Sequence, residues 1–260
     1  MESKIIRKVT EIGNGAHIFA PKEWLDEEVV IIRVPKKNPK EEILKLVYPN
    51  LDRVIAVFLF GSYARNEQEK DSDIDILIIS SEKFKINKGG IDAIVIPECR
   101  IEEAKKLNPI LFYSMIQEAI PILNSSYLEK LKQDKIKLDY FKDFLKDTKN
   151  SIKSNKELME MDRKLNNKNA SESVIYSLIL RLRGTFIINI LLNLNKEKYS
   201  KELFKKWLVE NSGTDYEKVY KIYRAVRDNK KTEEKILISE AESIMNLLIK
   251  ETEKLSKRIR

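Results

Sequence analysis

Two carboxylates, Asp73 and Asp75, stand one residue apart, and a Gly61-Ser62 pair precedes them at the end of the apolar run Val54 to Phe60. Residues two apart on a strand point to the same face, so Asp73 and Asp75 are expected to converge while Ile74 and Ile76 face a core. Carboxylate oxygens suit a hard cation such as Mg²⁺ or Mn²⁺, which keeps further positions for water and phosphate oxygens. Opposite them, Gly61 lets the backbone approach a phosphate closely. Ser62, at the start of a helix, adds a hydroxyl donor where unpaired N–H groups attract anions. Together the two halves point to a site that handles a nucleoside triphosphate with a divalent metal. Arg65, one turn further on, either neutralises phosphate charge or forms an ion pair on the helix surface.

The residues Leu59-Phe60-Gly61-Ser62, Ala64-Arg65 and Ser72-Asp73-Ile74-Asp75-Ile76 resemble the signature of the polymerase-beta-like nucleotidyltransferase superfamily. The likeness is to its minimal and kanamycin-type members. It implies a catalytic domain over residues 40–126 that moves a nucleoside monophosphate, by default AMP from ATP, to a hydroxyl acceptor and releases pyrophosphate. The acceptor is left open among small molecules, RNA and protein side chains. The resemblance also implies a third carboxylate on a neighbouring strand, binding metal and accepting the proton of the attacking hydroxyl. Asp92, which opens the run Ala93-Ile94-Val95-Ile96 after Gly89-Gly90, is the candidate; an Asp at a strand entrance also serves plain turn chemistry. Catalysis and metal binding are thus assigned to Asp73, Asp75 and Asp92, and nucleotide binding to Gly61, Ser62 and Arg65. Asn66 stands where the family has glycine, and Asn tolerates left-handed backbone better than most residues.

These side chains need strands and helices to hold them. The expected class is α+β: a small β-hairpin segment over 1–36, an α/β domain with a mixed sheet over 40–126, and an antiparallel helical bundle over 127–260. In the first segment, Lys8–Ile12 and Ala16–Phe19 flank Gly13-Asn14-Gly15, a hairpin-turn signal, and Val29–Val34 reads as a further strand. This stretch resembles the swapped hairpin of AbrB/SpoVT-type transcription factors, which implies a homodimer and contact with DNA. A β extension packed on the next domain is the alternative. Pro35 to Pro39 reads as a linker. A helix over Glu41–Val47 leads into the strand at Val54, a helix over Ile101–Glu118 is interrupted at Pro109, and Ala119–Leu123 closes the domain as a strand.

Beyond Tyr127, apolar residues recur at helical spacing. One stripe runs from Ile175 through Leu182 and Phe186 to Leu194, a second from Tyr216 to Val226, and a third from Leu237 to Leu248, with breaks at Asn195-Lys196 and Ser212-Gly213. The bundle is similar to the C-terminal domain of kanamycin-type enzymes and to HEPN domains. HEPN ribonucleases follow an arginine with a histidine; Tyr223 to Lys230 supplies Arg224 and Arg227 but no histidine, and His17 is the chain's one histidine. That argues against such ribonuclease activity. The tyrosines of the second stripe read as core packing rather than a stacking platform for bases.

The 260 residues carry a net charge of +8. Residues 136–260 hold 28 basic and 19 acidic side chains, so the excess lies in the helical half. Lys and Glu alternate there, which reads as a solvated surface before it reads as a nucleic-acid patch. Cys99 is the sole cysteine, excluding an intrachain disulfide. The longest apolar stretch is broken by Asn189 and Asn193, and Met1 to Lys4 shows no signal-peptide pattern. A cytoplasmic enzyme is expected, the alternative being a DNA-binding regulator or toxin–antitoxin component built on the N-terminal segment.

Overall fold

The computed structural model describes residues 7, 9–29, 38–69, 72–192 and 199–259. Residues 1–38 form a unit separate from residues 39–260. In the first unit, β1 (Thr10–Ile12) pairs antiparallel with β2 (Gly15–His17), Ile12 facing Gly15. The two-residue loop is therefore Gly13-Asn14 rather than Asn14-Gly15, with Gly13 at φ +52. Glycine at the first loop position gives this positive φ without a Cβ penalty. The strand expected over Val29–Val34 falls, apart from Val29, outside the described residues, as do Pro35 to Lys37.

The second unit opens with α1 (Pro39–Val47), which leads to β3 (Val54–Phe60) and the four-residue α2 (Gly61–Ala64). β4 (Ile74–Ser80) and β5 (Ile91–Pro97) follow. Next come α3 (Ile101–Leu107), α4 (Pro109–Glu118) and β6 (Ile120–Leu123). The strands form a mixed sheet in the order β5-β4-β3-β6, in which only the β4–β5 pair is parallel. The predicted break before Pro109 sits at Asn108, whose side chain accepts from Leu111 N–H and caps α4.

Strand alternation sorts the sheet into two faces. Val57, Leu59, Ile74, Ile76 and Ile78 meet Ile43 and Val47 of α1 on one side. Phe58, Phe60, Leu77, Ile79 and Ile96 form the other core with Phe112, Met115 and Ile116 of α4. That second core continues without a break into the helical region, taking in Ile187, Ile188 and Leu191.

The helical region comprises α5 (Ser125–Gln133), α6 (Lys142–Lys164), α7 (Glu172–Leu192), α8 (Lys201–Ser212), α9 (Tyr216–Arg227) and α10 (Ile238–Arg258). α7 is apolar all round because α6, α9 and α10 pack about it. By length and composition α7 would be long enough to cross a membrane, contrary to the reading of the apolar runs, yet 67% of that window is buried inside the fold. Buried Asp162 of α6 accepts from the N–H and hydroxyl of Ser171 and so pins the α6–α7 corner. Tyr216 and Tyr223 are 2% exposed, which makes their stripe core packing. The sequence reading missed α8. Its start is set by Ser200, whose hydroxyl accepts from Leu203 N–H, and its end by Gly213 at φ +68. The break expected at Asn195-Lys196 lies outside the described residues.

Candidate active site

The site forms where β3 ends and β4 and β5 begin. In the parallel register of β4 and β5, Asp75 stands beside Asp92. Parallel neighbours in register share a face, so both belong to the side of Leu77 and Ile79, the side covered by the helices. Asp73 lies one residue ahead of β4 and is exposed. Asp92 is exposed as well, and Asp75 is half-buried.

On the antiparallel side Asp75 faces Phe60, and the chain then turns at Gly61 with φ +73. A Cβ on Gly61 would lie 1.9 Å from Asp75 Oδ2 and 2.7 Å from its Cγ. The missing side chain is the space that the Asp75 carboxylate occupies. Gly61→Ala should therefore displace that carboxylate and strain the turn, lowering stability by roughly 1–3 kcal/mol. Thermal melts of the variant check the cost, and an unchanged melting temperature contradicts it.

Burial pushes the Asp75 carboxyl up to about 6. The charge of Asp92 adds to this, Arg65 opposes it, and Glu118 and Asp73 contribute in the same direction as Asp92. Among the described residues no three His, Cys, Asp or Glu side chains gather closely enough to hold a metal ion alone. Asp75 and Asp92 adjoin in register, and Asp73, one residue ahead of β4, adds to the negative charge felt by Asp75. The donors are nevertheless all carboxylate oxygens, and the mutual repulsion felt at Asp75 is what a divalent cation relieves. One or two carboxylates completed by water and phosphate oxygens is the usual manner of holding Mg²⁺; the in-register pair Asp75 and Asp92 fits it, with Asp73 adding charge from one residue ahead of β4.

Arg65 forms ion pairs, as one of its two expected roles has it, but they are partly buried rather than on an open helix surface. Its Nε donates to Glu67 Oε2 at 2.7 Å and its Nη1 to Glu118 Oε2 at 2.6 Å. Burial opposes its charge, but the two carboxylates outweigh burial and raise its pKa. Glu118 Oε1 also accepts from Gly61 N–H at 2.8 Å, so that amide already has a partner. Among the described residues nothing bonds the Ser62 hydroxyl, while its carbonyl accepts from Glu67 N–H at 2.9 Å. Asn66 takes φ +57, the left-handed conformation for which an Asn stands in for glycine.

Helical residues complete the surroundings. Glu67 Oε1 accepts from Lys201 N–H at the start of α8, at 2.9 Å. The Tyr199 ring lies 5.6 Å from the Arg65 guanidinium and 5.5 Å from that of Arg183. Arg183 Nε is buried with no hydrogen-bond partner. Sequence reasoning missed Glu67, Glu118, Arg183 and Tyr199. One signal was available: Glu118 ends α4, where the helix dipole disfavours an acid, so a partner elsewhere had to be sought.

Residues 40–176, just over half of the chain, match the family model described as nucleotidyltransferase domain. Two proteins of Methanocaldococcus jannaschii, provisionally named protein adenylyltransferases, are similar to this chain. One is 46% identical over 46 residues, 18% of this chain and 43% of the relative; the other is 42% identical over 64 residues, 25% and 56%. The chain thus spans about half the length of these curated relatives. It also superposes on a spectinomycin adenyltransferase from Enterococcus faecialis solved with ATP and spectinomycin. The TM-score is 0.44 at 14% identity, over 84% of this chain and 100% of that one. A nucleotidyltransferase-like protein from Exiguobacterium sibiricum superposes with TM-score 0.38 at 12% identity, over 83% and 74%.

Proposed function

The chain belongs to the nucleotidyltransferase domain family, and from that premise we propose that it transfers AMP from ATP to a hydroxyl acceptor with release of pyrophosphate. The observation that carries this reading is the in-register pair Asp75 and Asp92, set against a glycine turn that admits no side chain. Asp73, Asp75 and Asp92 would hold the divalent ion. Mg²⁺ or Mn²⁺, when bound, supplies charge neutralisation along the triphosphate and at the leaving oxygen. Asp92, exposed at the strand start, takes the acceptor's hydroxyl proton. The acceptor oxygen bonds to the α-phosphorus as the bond to the bridging oxygen breaks, and pyrophosphate departs with that electron pair. The Ser62 hydroxyl, unbonded among the described residues, donates to a phosphate oxygen. Arg183, charged, set among Tyr199, Tyr220 and Tyr223 and without a carboxylate partner among the described residues, offsets further negative charge on the helical side.

A protein hydroxyl stands first among acceptors, because both Methanocaldococcus jannaschii relatives carry the name of protein adenylyltransferases. The test is to incubate the protein with each α-labelled triphosphate and Mg²⁺ or Mn²⁺. Label should pass from ATP to a protein, to added RNA or to a small molecule, and Asp75→Asn should abolish it. No transfer from any triphosphate to any acceptor sinks the reading.

A second reading concerns residues 1–36 and is compatible with the first. Ile12, Phe19 and Leu25 of the hairpin unit are largely exposed, and burial of such side chains against a second copy would stabilise a homodimer. Deleting residues 1–36 should then halve the mass seen by light scattering and leave ATP binding within a few-fold; an unchanged assembly state refutes it. Contact of this segment with DNA is tested by gel shift at two salt concentrations, since phosphate-dominated binding weakens steeply with salt.

A further inference from the structure

Glu118 lies outside the aspartate set, yet it touches both ends of the turn that the Asp75 carboxylate packs against. One carboxylate spans α2, with Oε1 on Gly61 N–H at 2.8 Å and Oε2 on Arg65 Nη1 at 2.6 Å. Its side chain is only 11% exposed. Two local effects oppose an acid in this place. It is the last residue of α4, where the unpaired carbonyls carry partial negative charge. It also adds to the negative charge felt by Asp75. An apolar side chain would sit there without those penalties, so the value of the carboxylate lies in what it holds.

We propose that Glu118 is a positioning residue for the transfer reaction: by joining Gly61 to Arg65 it fixes the turn against which the Asp75 carboxylate rests. The proposal rests on the adenylyl-transfer reading for the reaction itself. Asp75 Oδ2 fills the space where a Gly61 Cβ would stand, so the turn is one wall of the Asp75 site. If the turn relaxes, Asp75 loses that wall and its alignment with Asp92. A shift of that kind acts on chemistry before it acts on binding, because reacting groups misplaced by about 1 Å lose on the order of 10²-fold in rate. Arg65 keeps a second partner in Glu67, itself held by Lys201 N–H. The turn therefore stays folded when Glu118 is changed.

Glu118→Gln keeps the size of the side chain but leaves one oxygen to serve two donors. Four measurements are made on the full chain: melting temperature, Mn²⁺–ATP affinity by electron paramagnetic resonance, single-turnover label transfer, and the Gly61 amide by nitrogen–proton NMR. The melting temperature should stay within a few degrees and the affinity within about threefold, while transfer slows roughly 10–100-fold. The Gly61 amide resonance should move upfield and its hydrogen exchange should quicken. Glu118→Ala, which removes both contacts, should slow transfer at least as much at similar affinity. A transfer rate within about threefold of the parent overturns the proposal, as does affinity falling in step with rate. Should the parent itself transfer no label, it is the reaction reading that fails. The amide then decides alone: a moved Gly61 resonance keeps Glu118 as the holder of the turn, and an unmoved one removes it.

Discussion

Asp75→Asn should remove most adenylyl transfer, by at least about 100-fold, and at the same time make the metal-free protein more stable above pH 6. On the proposed metal role, the loss follows from replacing an anionic group with a neutral one at the strand position that adjoins Asp92 and fills the glycine turn. The gain follows from the raised carboxyl. Its folded pKa is about 6 against an ordinary 3.8, with burial the main cause and Asp92 next. A carboxyl raised on folding lends its full stabilisation below the unfolded value, and that contribution disappears as pH rises through the folded value. Parent and variant should therefore melt alike near pH 3.5 and part between pH 4 and 6, with a constant gap above. After discounting for partial exposure, the gap is about 1–2 kcal/mol, a few degrees in melting temperature for a chain of this size. Melts in chelator across that range, beside single-turnover transfer at pH 8, provide the check. Near-normal turnover refutes the metal role, and a gap that does not narrow in acid refutes the electrostatic one.

Asp92→Asn should slow the chemical step by ~10²–10⁴-fold, the usual contribution of a positioned general base, while Mn²⁺–ATP affinity falls by no more than a few-fold because the proposed ligands Asp73 and Asp75 remain. Its placement supports this split. Asp92 is exposed at the second residue of β5, so little packing is lost and the melting temperature should barely move. It adjoins Asp75 in register, on the face of the candidate site rather than in the turn at Gly89-Gly90. A side chain serving only the turn would behave in the opposite way: a lowered melting temperature and an unchanged rate. Measuring both on one preparation, with nucleotide affinity, separates the two outcomes.

The sequence by itself determined whatever depends on neighbours along the chain. Val54–Phe60 and Ile74–Ser80 are β-branched and apolar runs that form strands wherever they are buried. Gly61 and Asn66 take left-handed backbone because their residue types permit it at low cost. Asn108 stops one helix and caps the next within four residues. The hairpin, the break before Pro109 and the apolar α7 were legible for the same reason. α8 was missed because its buried residues, Phe204 and Leu208, are few and set among lysines. Tertiary structure alone decided which distant groups meet. Nothing in spacing ties Glu118 to Gly61, 57 residues away, or Glu67 to Lys201, 134 away. The parallel register that sets Asp75 beside Asp92 depends on how two strands slide against each other, and a one-residue slip would send one of them to the opposite face. Arg65 shows the division most clearly. Its position after the glycine turn suggested either a phosphate partner or an ion pair; Glu67, two residues on, is a partner the local chain supplies, whereas packing of α4 and the helical region added Glu118 and the Tyr199 ring. Residue type and local spacing fix backbone conformation, whereas the partner of a charged side chain is chosen by whichever element the cores bring within about 3 Å of it.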